Sequence, residues 1–232
     1  MELARAWFRI PGPTCPDELL ALFASHPLTT GLVLTDGRPE YVTPLPERGE
    51  GRNHDLWLRG RARGGRTTIC VEAKADEPLG EPIGRQLKTA RRRQPNTGVP
   101  ARARALLGLL FQRECVPEAA PWRDLRYQLL TALAGTAIQA VSDGSRLGIL
   151  VIHEFHSADS DPAKLQRNQE DLDAFLGLLL PGSAPLVPGV LAGPIEIAPN
   201  PITPEGVTLM IGKLAMELAT LTPSPEHGHI GS

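Results

Sequence analysis

The stretch Thr67-Thr68-Ile69-Cys70-Val71-Glu72-Ala73-Lys74-Ala75 (TTICVEAKA) decides how this 232-residue chain is read. Its apolar and polar residues alternate, which is the two-residue period of a strand with one buried face. Ile69, Val71, Ala73 and Ala75 fall on one side; Cys70, Glu72, Lys74 and Asp76 fall on the other. Glu72 and Lys74 therefore project side by side. Upstream, His54–Arg59 (HDLWLR) alternates as well, and the Gly/Arg-rich segment 60–66 between the two runs reads as the turn of an antiparallel hairpin. The hairpin brings Asp55, with Trp57 and Arg59 on its face, towards Glu72. Two carboxylates with neighbouring oxygens suit a hard divalent cation such as Mg²⁺. Such a cation activates water and stabilises phosphoryl charge. A lysine beside it can orient the attacking water or offset charge on the phosphate.

Outward from this pair, the elements read as α/β. Pro16–Ser25 predicts a short amphipathic helix. Gly31–Thr35 and Glu40–Thr43 read as two strands joined by an Asp36-Gly37 turn. Helices are expected over Gly84–Arg93, Arg102–Glu114, Asp124–Val141 and Leu165–Leu180. Leu147–Phe155 (LGILVIHEF) is a continuous apolar run of strand length, the pattern of a central strand covered on both faces. Gly193–Ala198 is strand-like. Val207–Leu214 fits either a strand or the start of a helix. The expectation is one α/β domain over residues 1–222 with a mixed sheet, and a disordered tail over 223–232 that includes His227 and His229.

This pattern resembles the PD-(D/E)XK, or restriction-endonuclease-like, superfamily. Asp55, then Glu72-Ala73-Lys74, matches its D…(D/E)-x-K signature on two adjacent strands that follow an N-terminal helix. The segments VEAKADEPLG and RYQLL (Arg126–Leu130) look like segments of uncharacterised bacterial members. The resemblance implies a mixed sheet flanked by helices, Mg²⁺ or Mn²⁺ as cofactor, and a nuclease that hydrolyses phosphodiesters with a metal-activated water. It implies Asp55, Glu72, the Ala73 carbonyl and Glu18 of the first helix as metal ligands. It further implies Lys74 and Gln86 as catalytic groups. His54 stands where the signature has proline.

The charge distribution bears on a partner. Net charge is −2, yet residues 1–126 carry 20 Lys/Arg against 15 Asp/Glu, and residues 127–232 carry 4 against 11. The stretch Pro82–Arg113 has eight basic residues and no acidic one; Arg85, Lys88 and Arg92 would share a helix face suited to phosphates. Nucleic acid, DNA rather than RNA, is the expected partner; a solvated helix face is the plainer alternative. Asp76 and Glu77 read as caps of the next helix, with a second metal as the alternative. His153, Glu154 and His156 read as polar residues at a strand end. Tyr127 and Gln128 open a helix and are candidates to touch substrate, and Cys70 reads as packing.

No apolar run has the roughly 18 residues of a membrane span. The N-terminal segment lacks a signal-peptide pattern. Three widely spaced cysteines argue against a disulfide framework or a zinc knuckle, and for a reducing cytoplasm. Two other readings stay open: a catalytically inactive binding or assembly module of the same fold, with a homodimer possible, and an unrelated α/β protein with Asp55 and Glu72 as surface charges.

Overall fold

The computed structural model describes residues 15–63, 65–75 and 77–217. Asp76 and the tail from 223 onward lie outside them. Helix α1 (Asp17–Ala24) leads into strands β1 (Val33–Thr43), β2 (Arg52–Ala62) and β3 (Gly65–Lys74). Helices α2 (Ile83–Arg93), α3 (Val99–Phe111) and α4 (Tyr127–Ser142) follow. After them come β4 (Leu147–His156), α5 (Pro162–Leu179), β5 (Leu191–Ile197) and β6 (Val207–Glu217).

The six strands form one mixed sheet in the order β1-β2-β3-β4-β6-β5. β1, β2 and β3 run antiparallel to one another, β3, β4 and β6 run parallel, and β5 is antiparallel to β6. Both faces are covered. Ile69, Val71, Ile149 and Val151 pack with Leu19, Leu22 and Phe23 of α1. Leu150, Ile152, Leu209 and Ile211 pack with the apolar sides of α2 to α5. β4 is buried on both faces, as its unbroken apolar run requires. Val207–Leu214 belongs to a strand, fixed by its parallel pairing with β4. Among the described residues, no helix is long and apolar enough to cross a membrane.

Three local expectations change. Asp36-Gly37 is not a turn: β1 is one strand paired with β2 from end to end, with a register shift between Leu34 and Asp36. Gly37 serves close packing, since a Cβ there would lie 2.8 Å from Leu58 Cδ2. Asp36 is engaged by Arg59 at 3.1 Å across the pair. Helix α4 starts at Tyr127 rather than Asp124. Trp122–Asp124 form a short 3-10 turn, and Leu125 and Arg126 after it are extended and bonded to the entry of α2, where Leu125 O accepts from Ile83 N–H (2.8 Å) and Tyr127 N–H donates to Glu81 O (3.0 Å). Helix α3 starts earlier than expected, with Pro100 in its first turn, where proline is tolerated.

Helix α4 is tied to the antiparallel strands by a polar clamp at its C-terminus. Asp143 accepts from Trp57 Nε1 (2.9 Å), Thr68 Oγ1 (2.7 Å) and Gln139 Nε2 (2.8 Å). Gln139 in turn accepts from Thr43 Oγ1 at 2.9 Å. At mid-helix, Gly135 lets β2 come close: a Cβ there would lie 3.2 Å from Arg52 Cβ and 3.3 Å from His54 Cε1. His54 is fully buried, and neither ring nitrogen has a hydrogen-bond partner among the described residues. Burial, and then the charge of Arg52, push its pKa down to about 3.

Two expectations follow for stability. Asp143→Ala leaves three donors without their acceptor and should cost about 2 kcal/mol or more in urea unfolding. Val33→Ser on the exposed edge of β1 should change it by less than about 0.5 kcal/mol. For His54, the folded pKa lies below the unfolded value of about 6.5. Below that pH the unfolded chain binds the extra proton, so stability falls as pH falls towards about 3, by up to about 1.4 kcal/mol per pH unit. Urea unfolding between about pH 6 and pH 4.5 should show a shallower pH slope for His54→Leu than for the wild type. Equal slopes would mean that His54 ionises freely in the folded protein.

Candidate metal and nucleic-acid site

Strand alternation puts Cys70, Glu72 and Lys74 on the α4 side of β3, and contacts from that helix agree. Gln128 Nε2 donates to Glu72 Oε1, and Thr136 bonds Cys70. β2 is less regular. Leu56 and Leu58 face the α1 cluster, and Trp57 faces α4. Simple alternation would then send Arg52 and His54 with Leu56, yet both lie against Gly135 of α4. The phase therefore changes at Asp55–Leu56. Opposite this point on β1, Glu40 has a φ of 49°, a left-handed conformation that breaks the pleat.

The phase change assembles the site. The β2–β3 ladder ends at the pair Leu56 and Val71. One residue further, Asp55 Oδ2 accepts from Ala73 N–H at 2.7 Å, so its carboxylate takes over where the main-chain ladder stops. Glu72 is 4 % exposed. Its Oε2 pairs with Arg52 Nη2, and its Oε1 takes Lys74 Nζ at 2.9 Å as well as Gln128. Lys74 is buried too, and its pKa is lowered by that burial and by Arg52, against the opposing charges of Glu77 and Asp55. Arg52 is also lowered by burial, with Asp55 acting in the opposite direction. Asp55, Glu72, Lys74 and Arg52 thus form one electrostatic unit, which is no set of separate surface charges.

Arg52 and Gln128 also line a cleft of about 1530 Å³ between residues 45–53, α2, the segment 94–99 and the start of α4. Five arginines border it (Arg48, Arg52, Arg85, Arg93 and Arg102) against three glutamates (Glu47, Glu50 and Glu81). Arg102 is committed to shaping the wall: its guanidinium donates to the carbonyls of Pro46 (3.0 Å), Glu50 (2.8 Å) and Glu47 (3.2 Å).

The other expected residues distribute as follows. Gln86 and Arg85 line the cleft. Lys88 and Arg92 are exposed on α2 but turned away from the cleft lining, where Arg93 stands instead. Glu18 is exposed on α1, whose buried residues pack on the opposite side of the sheet from α4. Glu77 does not cap α2: its carboxylate accepts from Ala75 N–H at 3.2 Å and lies 4.0 Å from Lys74 Nζ. Glu154 sits beside Lys74 in the β3–β4 register and is buried against Lys213 Nζ at 2.9 Å, with His156 at 3.3 Å. His153 points the other way and packs on the Phe155 ring.

Sequence reasoning missed Arg52 because its face follows from a phase change that has no local signature. It missed Lys213 because β6 was not assigned as a strand. Among the described residues, no group of three or more His, Cys, Asp and Glu converges on one point. The oxygen donors at the motif are Asp55 and Glu72. They fit a hard divalent cation in kind, since Glu72 is already held against positive charge. Both Glu72 oxygens are engaged by nitrogen donors, and among the described residues Oε2 has Arg52 as its partner.

No curated protein and no solved structure gave a significant match to the chain. One family model does match, over residues 1–218, and its description is a domain of unknown function, DUF6946. The chain therefore belongs to the DUF6946 family.

Proposed function

We propose that this protein is a PD-(D/E)XK-type nuclease that hydrolyses nucleic-acid phosphodiesters with the help of Mg²⁺ or Mn²⁺. One observation carries the reading. A buried Glu72–Lys74 pair stands at the end of β3 next to Asp55, and two partners of Glu72, Arg52 and Gln128, line a wide cleft bordered by arginines. The order of elements supports it as well, with a helix, then three antiparallel strands, then the motif at the end of the third.

Asp55 and Glu72 would hold the cation, which would activate a water and offset charge on the phosphoryl oxygens. Asp55 is positioned by Ala73 N–H, and Glu72 is positioned by Gln128 and Lys74. Lys74, fixed by its bond to Glu72, would offer its ammonium to the charge that grows on the phosphate. Gln86, Arg85, Arg48 and Arg93 lie on the walls and would contact the backbone of the bound strand. The lining suits an extended polyanion better than an apolar ligand, and DNA is the proposed substrate.

A second reading rests on a different observation. Glu72 has both oxygens engaged by Arg52, Lys74 and Gln128, as in a structural ion network. On that reading the chain is an inactive binding module.

Two measurements separate the readings. Nicking of supercoiled DNA with Mn²⁺ should be lost in Glu72→Gln and fall by roughly 100- to 1000-fold in Lys74→Met. Arg85→Ala with Arg93→Ala should weaken DNA binding uniformly across sequences and reduce its salt dependence. Wild-type protein that binds DNA but never nicks it, with or without Mn²⁺, would establish the binding module.

A further inference from the structure

We propose that Arg52 is an exchangeable counter-ion, which a phosphate backbone entering the cleft draws off Glu72 so that the carboxylate can take a divalent cation. This rests on the nuclease reading and adds an order of events to it: polyanion and metal bind cooperatively, and neither binds well alone.

The argument begins with how Glu72 is held. Its Oε1 has two partners, Lys74 Nζ and Gln128 Nε2, while its Oε2 has Arg52 Nη2. Departure of Arg52 therefore frees one oxygen and leaves the carboxylate oriented by the other. Arg52 is placed to leave. It lines the cleft, and its Nε is buried without a hydrogen-bond partner among the described residues, so the guanidinium's donor capacity is only partly used. A phosphodiester supplies what is missing, because two parallel N–H groups of a guanidinium match two phosphate oxygens. Arg48, Arg85 and Arg93 on the same cleft give that polyanion its first contacts.

Charge counting gives the same sign. The formal charges of Asp55, Glu72, Arg52 and Lys74 sum to zero. A divalent cation added to this buried cluster would leave two uncompensated charges in a poorly solvated place. If Arg52 turns to a phosphate as the cation arrives, the guanidinium keeps an anionic partner and Glu72 keeps a cationic one. A free-energy coupling of this kind is reciprocal and commonly amounts to 5- to 150-fold in affinity.

The test is Mn²⁺ binding to the full chain by titration calorimetry, alone and with a short phosphorothioate DNA duplex whose own Mn²⁺ uptake is subtracted. Wild-type protein should bind Mn²⁺ weakly alone and about 10- to 100-fold more tightly with the duplex. Arg52→Gln should bind tightly without the duplex and gain little from it. Arg52→Lys keeps the charge but lacks the planar fork, so it should bind Mn²⁺ as weakly as wild type and lose most of the gain. Circular dichroism melts check that each variant is folded, and the lysine variant carries the test if the glutamine variant is not. The exchange is overturned, with the metal site intact, if Arg52→Gln binds Mn²⁺ no more tightly than wild type while Glu72→Gln removes binding. It is equally overturned if Arg52→Lys gains as much from the duplex as wild type does. Absence of Mn²⁺ binding in every variant, with and without duplex, would overturn the nuclease reading and this inference with it.

Discussion

A carboxylate taken out of water must be given positive charge or hydrogen bonds, because leaving it unpaired costs several kcal/mol. Glu72 is such a carboxylate, and much of the local architecture serves it. Arg52 reaches it because β2 changes phase at Asp55. Gln128 reaches it because α4 begins at Tyr127, where the bonds between residues 81–83 and 125–127 fix the helix start. Lys74 reaches it by the plain two-residue period of β3. Two strands of one hairpin and a helix whose Gln128 lies 56 residues beyond Glu72 are thereby registered against one side chain.

Helix α4 is the common support. Its N-terminal turn supplies Gln128, its middle supplies the close approach at Gly135, and its C-terminus supplies Asp143 as the acceptor for Trp57 and Thr68. The first holds β3 at Glu72, and the last holds the same strand at Thr68 and β2 at Trp57. Rotation of α4 would therefore disturb the Asp143 clamp and the Glu72 cluster together. Such coupling between a packed helix and a polar cluster holds the cluster's geometry within narrow tolerances. Gly148 on β4 contributes by permitting close packing, since a Cβ there would come within 3.3 Å of Ala140 Cβ and Thr136 Cγ2.

What the sequence revealed and what it concealed have separate physical causes. β3 and β4 were legible because burial on one face or on both writes itself into residue order as alternation or as an unbroken apolar run. Hence Glu72 and Lys74 could be placed side by side before any coordinates. β1 was misread because Asp-Gly is a turn signal, whereas this glycine answers to the crowding of Leu58 from the next strand. The partners of Glu72 were harder still. Gln128 lies 56 residues beyond Glu72, and the phase change that turns Arg52 inward coincides with the left-handed Glu40 on another strand. Tertiary context sets it, and no window around Arg52 contains it. Lys88 and Arg92 show the converse: helical spacing groups them with Arg85, but which side of that group faces the cleft depends on how α2 docks.

The neighbouring polar cluster sharpens the meaning of the first. Glu154 pairs with Lys213, which also donates to Gln169 at 2.6 Å, and neither Glu154 nor Lys213 lines the cleft that Arg52 borders. It has the character of a structural network, in which one buried acid meets one buried base and the remaining donors find neutral acceptors. The Glu72 cluster differs in two respects. Its carboxylate takes a lysine and an arginine where Glu154 takes a lysine and His156, and the arginine, Arg52, also lines a wide cleft. Fold stability alone requires neither feature, because a well-packed apolar side chain at position 72 would serve a sheet interior as well or better. A buried acid held by a cation that can turn outward is instead the arrangement expected where charge has to be exchanged, and that expectation distinguishes the end of β3 from the end of β4.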